Sequence, residues 1–306
     1  MPFQYKKVLV LGATSGIGWA MAKKFLDEGS SVIAVGRRAE NLKKLAEEHG
    51  AEGQVDTAVF DITDLKGIPE FVNDIASKHP DLDCVFLNSG MQRHLDWKDP
   101  ESVDLDVLET EFTTNYLSYM HLTKAFLPVL QKKAPQETAL VYITSGLALA
   151  PIVYCPNYCA SKAALHHMVM MLRLQMKEIN SNVKIIEVLP PAVQTELHDD
   201  KHQPEFQGKG RHIGMPLADF VEEAYAGLAA GTEQIPVQMT KRNFDTWEQE
   251  RQKNVSSVKH FSVPCCRTVV ARATVVSVES NGSPRLQQNF CSSPASGQRP
   301  RYSLLA

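Results

Sequence analysis

Residues 7–18 read "KVLVLGATSGIG", and the fold is decided in this stretch. Lys7 to Leu11 form a short, almost unbroken apolar run, the mark of a strand buried on both faces. Gly12, Gly16 and Gly18 then interrupt it, with Ser15 and Ile17 between them, and an amphipathic segment follows over 17–28. A glycine turn between a strand and a helix N-terminus lets backbone N–H groups approach a diphosphate, and the helix dipole adds attraction. The alternative phosphate loop would need Lys-Ser/Thr after the last glycine; Trp19-Ala20 stand there instead.

Outward from this turn the same unit repeats. Strands are expected at 7–11, 31–35, 57–60, 83–87, 139–144 and 183–189. Helical segments are expected at 17–28, 40–49, 65–78, 104–131, 157–180, 217–231 and, more weakly patterned, 243–254. Strands alternating with longer amphipathic segments predict an α/β fold with a doubly wound parallel sheet, a Rossmann fold. Residues 1–260 are expected to form one dinucleotide-binding domain. Composition changes beyond it: of 35 acidic residues only Glu279 lies past Phe261, and no lysine does. The Ser-, Pro-, Arg- and Gln-rich stretch 261–306 is expected to be a disordered, dispensable tail.

A net charge of −3 argues against nucleic acid as a partner. No apolar run approaches the roughly 18 residues of a membrane span. The N-terminus runs directly into the first strand without a signal-like apolar region. The six cysteines (84, 155, 159, 265, 266, 291) follow no disulfide spacing. A soluble cytoplasmic protein is expected.

The second strand ends in Gly36-Arg37-Arg38, where an NAD-binding unit would carry an acidic residue for the ribose hydroxyls. Two guanidinium groups suit the 2′-phosphate of NADP, so NADP is expected over NAD. Tyr158 and Lys162, four residues apart at a helix start, share one face. An ammonium beside a tyrosine favours the phenolate and is expected to lower its pKa from about 10. Ser145 precedes the pair by 13 residues, at the end of an apolar strand.

With these motifs in order, the chain resembles the short-chain dehydrogenase/reductase family in its Tyr-x-x-x-Lys form, over about residues 5–255. The glycine motif falls on Leu11 to Gly18, the Asn-Asn-Ala-Gly turn on Leu87 to Gly90, and Pro-Gly-x-Val-x-Thr on Pro190 to Thr195. The resemblance implies that Tyr158 exchanges the proton with a carbonyl or alcohol. Ser145 would orient its oxygen, Lys162 would tune Tyr158 and hold the nicotinamide ribose, and Asn115 would position backbone and water. It further implies cofactor contacts from Asp61, Asn88, Gly90, Val193 and Thr195, a small-molecule substrate, and a homodimer or homotetramer paired along helices 104–131 and 157–180. Leu11, Leu87, Ser89 and Pro191 depart from the family pattern; the two leucines remove side-chain ties between the glycine loop and the fourth strand.

Cys155 and Cys159 are two ligands at most and do not make a tetrahedral metal site, so no metal is expected. His198 and His202 are read as part of a polar lid, and His166-His167 as packing or subunit-contact groups. Met91, Leu147, Ile152, Tyr154 and Pro191 are candidate walls of an apolar substrate pocket. The rival reading is a regulator or scaffold that binds NADP without turnover.

Overall fold

The computed structural model describes residues 3–49, 53–201 and 203–257; the stretch 261–306 and His202 lie outside the described residues. The elements run β1 Lys7–Leu11, α1 Gly16–Asp27, β2 Ser31–Gly36, α2 Ala39–His49, β3 Val55–Val59, α3 Ile68–Lys78 and β4 Cys84–Leu87. They continue with α4 Leu105–Phe112, α5 Ser118–Gln131, β5 Thr138–Ile143, α6 Pro156–Glu178, β6 Val183–Leu189 and α7 Leu217–Ala229. The described part closes with β7 Gln234–Pro236, α8 Thr240–Asn243 and α9 Gln249–Ser257.

All seven strands are parallel, in the order β3-β2-β1-β4-β5-β6-β7. This is the Rossmann arrangement. The strands are continuous apolar runs because alternate residues face two separate cores. Val8, Val10, Phe86 and Val141 pack with α1 and α7 on one side. Leu9, Leu11, Val85, Leu87 and Leu140 pack with α3, α5 and α6 on the other. The order of strand addition reverses between β1 and β4, so the crevice beyond their carboxyl ends is where this topology binds ligands.

Two departures from the sequence pattern bear on the site. The long helix expected over 104–131 is broken by a π-turn at Thr113–Leu117, which holds the buried Asn115. Asp104 starts α4 by accepting from the backbone N–H groups of Asp106 and Val107. A second π-turn, Phe244–Glu248, lies between α8 and α9. β7 has only three residues, one of them Pro236, too short and too proline-marked to stand out in the sequence. Among the described residues no helix is long and apolar enough to cross a membrane.

Candidate active site

The carboxyl ends of β1, β2, β4, β5 and β6 open into one cavity of about 1000 Å³. Its walls include Gly12, Ser15, Gly16, Ile17, Arg37, Arg38, Asp61, Asn88, Gly90, Ser145, Tyr158, Lys162, Val193 and Thr195. Two sequence-predicted residues lie behind the wall. Gly18 packs against the glycine turn itself, and Asn115 is wholly buried.

The glycine turn is set by backbone geometry. Gly12 adopts φ +80°, in the left-handed region that favours glycine. Asn88 Nδ2 donates to the Gly12 carbonyl at 3.3 Å. Asn88 therefore ties this loop to the end of β4, where Leu11 and Leu87 contribute no side-chain hydrogen bond. Tyr119 reinforces the same turn, its hydroxyl donating to the carbonyls of Leu87 and Ser89 at 3.1 and 2.7 Å.

Arg38 lies over the loop, donating to Thr14 Oγ1 from Nε at 3.1 Å and from Nη2 at 3.0 Å. Its Nη1 meets Glu196 Oε2 at 2.8 Å, linking β2 to the segment after β6. Arg37 Nη1 lies 3.6 Å from Asp61. Burial pushes Asp61 up, but hydrogen bonds from Thr63 and the Arg37 charge outweigh it and hold the carboxyl below its usual range. The cradle suits a dinucleotide: an open glycine turn at a helix start and a cavity that extends to Ser145.

At the other end of the cavity, Pro156 begins α6 at its first position and brings Tyr158 into the first turn, with Lys162 one turn on. Ser145 starts a short turn after β5 and accepts from Leu147 N at 3.0 Å. The hydroxyls of Tyr158 and Ser145 share a hydrogen bond. Lys162 Nζ donates to the Ile143 carbonyl at 3.0 Å and lies 5.7 Å from the ring centres of both Tyr119 and Tyr158. Asn115 clamps the loop after β4 by bonding both the N–H and the carbonyl of Met91, at 2.9 and 2.8 Å.

The electrostatics correct one expectation. Tyr158 is not depressed by its lysine: burial dominates and pushes the phenol well up, with the Ser145 bond only partly offsetting it. Burial also drives the Lys162 ammonium down to about 8, against the attraction of Glu111. Both groups are desolvated together, and desolvation disfavours the charged form of each. Because Lys162 is lower in the folded state than unfolded, folding carries the cost of its charge below about pH 8. That cost fades as the group deprotonates above this point. Lys162→Met is therefore expected to raise the stability of the cofactor-free protein at pH 7 by on the order of 2 kcal/mol, after the lost bond to Ile143 is counted. The difference should shrink between pH 8 and 10. Denaturant titration at both pH values measures it, and a less stable variant at pH 7 would contradict the desolvation account.

Tyr154 forms a wall, with its ring stacked on Phe206 at 5.0 Å and beside His94 at 4.5 Å. Cys155 and Cys159 are buried behind Tyr158 and form no part of the cavity wall. Met91, Leu147, Ile152 and Pro191 line the cavity as expected. His166 is no subunit contact: it is buried between Glu187 and Glu248. Sequence reading missed Glu196, Thr14 and the segment Met239–Asn243, which supplies Thr240, Arg242 and Asn243 to the wall. None of these carries a local motif. Only the strand order brings residue 240 over residue 146.

The sequence model of the short chain dehydrogenase family matches residues 6–205. The chain belongs to the short-chain dehydrogenase/reductase family. These oxidoreductases act on alcohol and carbonyl groups. Among relatives, the uncharacterized oxidoreductase DltE of Bacillus subtilis (strain 168) is 32% identical over 228 residues, covering 74% of this chain and 86% of the relative. A family member from Burkholderia phymatum, solved in complex with NAD, superposes with a TM-score of 0.71 at 17% identity, over 84% of this chain and 96% of the other. One from Sphingobium yanoikuyae, in complex with NADPH, gives 0.68 at 22% identity over 84% and 97%. Such structural likeness establishes the shared fold.

Proposed function

We propose that this protein is an NADP-dependent oxidoreductase of small carbonyl compounds or secondary alcohols. The observation that carries the reading is convergence: the glycine turn, Arg37 and Arg38 occupy one end of a single cavity, and Ser145, Tyr158 and Lys162 the other. Bound NADPH would supply the hydride. Ser145 Oγ orients the carbonyl oxygen, and Tyr158 delivers a proton to it as negative charge develops there. Burial suits Tyr158 to this task by keeping the phenol protonated at neutral pH. Lys162, at about 8, titrates close to the working pH and is suited to return a proton to Tyr158. Val193 and Thr195 close the nicotinamide side, and Asn115 fixes the backbone on which Gly90 and Met91 sit. A regulator that only binds NADP would have no need of a proton donor at Tyr158 beside Ser145.

The pocket walls Met91, Leu147, Ile152 and Tyr154 favour an apolar substrate. In this reading the protein is cytoplasmic and acts as a homodimer or homotetramer joined along α5 and α6, where Leu117, just before α5, and Met171 of α6 stand exposed. A panel of ketones and aldehydes followed by NADPH absorbance tests the activity, and absence of turnover across the panel in both directions would count against it.

NADP preference rests on Arg37 and Arg38. Replacing both by alanine is expected to weaken NADPH binding by about 10²-fold, two charge-assisted contacts being lost, while NADH binding changes by only a few-fold. Titration of cofactor fluorescence measures both. An unchanged NADPH-to-NADH ratio would overturn the assignment.

A further inference from the structure

Behind the catalytic wall lies a buried set of charges that the reaction as described does not use. Glu187 of β6 is fully buried; its Oε1 accepts from Thr144 Oγ1 at 2.8 Å and meets His166 Nδ1 at 2.7 Å. The other ring nitrogen, Nε2, meets Glu248 Oε1 at 2.9 Å. His166 thus bridges two buried glutamates, and the Arg251 guanidinium also approaches its Nε2, at 3.1 Å. Glu248, also fully buried, takes two further bonds of 2.7 Å from Arg251 and one of 2.7 Å from Gln252. Arg173 Nη2 approaches Glu187 Oε2 at 3.8 Å. Burial opposes the charge on His166, but the two glutamates outweigh it and hold it at about 9. Burial likewise opposes that on Glu248, and His166, Arg251 and Gln252 bring it down to about 2.

The three parts of this set belong to three parts of the site. Thr144 precedes Ser145, and His166 lies one helical turn beyond Lys162. Glu248 ends the π-turn that follows Met239–Asn243, the segment lining the cavity over Ser145. Thr240 lies so close over Gly146 that a methyl group there would meet its Oγ1 at 2.4 Å. Phe244, between the two, is buried with Leu149 and Leu189. A fully buried ion pair is a poor source of stability but a good device for fixing one arrangement, since a lone buried charge is costly.

We propose that Glu248 is a positioning residue: through His166 and Glu187 it locks residues 239–248 in place as the substrate-side wall of the pocket, in register with Ser145. The proposal rests on the reading of Ser145 and Tyr158 as the carbonyl-binding end. The segment lines the cavity over Gly146, next to Ser145, so its release is expected to act on substrate more than on the cofactor end.

The test uses Glu248→Gln and Glu248→Ala in the full-length chain, with two independent readouts. In steady-state kinetics on a carbonyl compound turned over by wild type, KM should rise roughly 10-fold or more, with kcat and the NADPH dissociation constant within about threefold. In a Trp19→Phe, Trp97→Phe background, Trp247 is the remaining tryptophan, half-exposed beside Glu248. Its acrylamide quenching should increase in both Glu248 variants, whether or not a substrate is known. Unchanged quenching with unchanged KM would overturn the proposal. So would a parallel fall of kcat, cofactor binding and melting temperature, because that is the signature of general unfolding. If wild type itself turns over nothing while quenching responds as expected, the oxidoreductase reading fails and the anchoring role of Glu248 stands. If Glu248→Ala does not fold, Glu248→Gln, which keeps shape and one bond, decides between these outcomes.

Discussion

Tyr158→Phe is expected to bind NADPH within a few-fold of wild type and to lose turnover by about 10³-fold. The tyrosine is only 7% exposed, and its hydroxyl has one hydrogen-bond partner, Ser145. Phenylalanine keeps the ring against Cys155 and Cys159, so the cost to stability should stay near 1 kcal/mol. What disappears is the acid. With burial keeping the phenol protonated, no other described wall group combines a neutral O–H with this position: in the proposed mechanism Ser145 would reach the same oxygen, but a serine hydroxyl is a far weaker acid. Single-turnover absorbance with saturating NADPH isolates the chemical step. Wild-type rates in the variant would remove Tyr158 from the mechanism and leave the cavity a binding site.

Gly18→Ala should damage the molecule at its other end, through the fold. An added Cβ would sit 2.1 Å from the Gly12 carbonyl oxygen, 2.8 Å from its carbon and 2.5 Å from Asn88 Nδ2. Two of these atoms are backbone in the β1–α1 turn, so no rotamer change relieves the clash. The turn must open, and the bond from Asn88 to Gly12 goes with it. A loss of about 3 kcal/mol or more is expected, which in a domain of this size lowers the melting temperature by roughly 6–12 °C. Cofactor affinity should fall below detection. Gly90 is the useful contrast: a Cβ there meets its nearest neighbours at 3.6–3.9 Å, ordinary contact. Gly90→Ala should melt near wild type, and equal damage from both substitutions, read by calorimetry, would mean that crowding at Gly18 is not the cause.

Features written into consecutive residues were legible without coordinates. The strand at Lys7–Leu11, its glycine turn, Arg37-Arg38 and the spacing of Tyr158 and Lys162 all depend on local chemistry. The same locality explains the misses. Arg38 is met by Glu196 from 158 positions away, and no pattern near either residue announces it. Asn115 holds the loop after β4 from a π-turn that was read as continuous helix. The pKa of Tyr158 was misjudged because spacing reveals a nearby ammonium and hides the burial that outweighs it.

The sequence by itself determined the βαβ repeat, the glycine turn after β1 and the ordered spacing of Ser145, Tyr158 and Lys162, which the fold brings to one cavity. Those are consequences of periodicity, glycine stereochemistry and motif order, which need no long-range contact. Only the tertiary structure decided how the site is charged and what closes it. Burial raises the tyrosine and lowers the lysine. The strand order β4-β5-β6-β7 carries the chain after residue 236 back over Ser145, where Glu248 can reach His166. Desolvation and contact between distant segments arise only when the whole sheet has formed, so no stretch of the chain could have shown them.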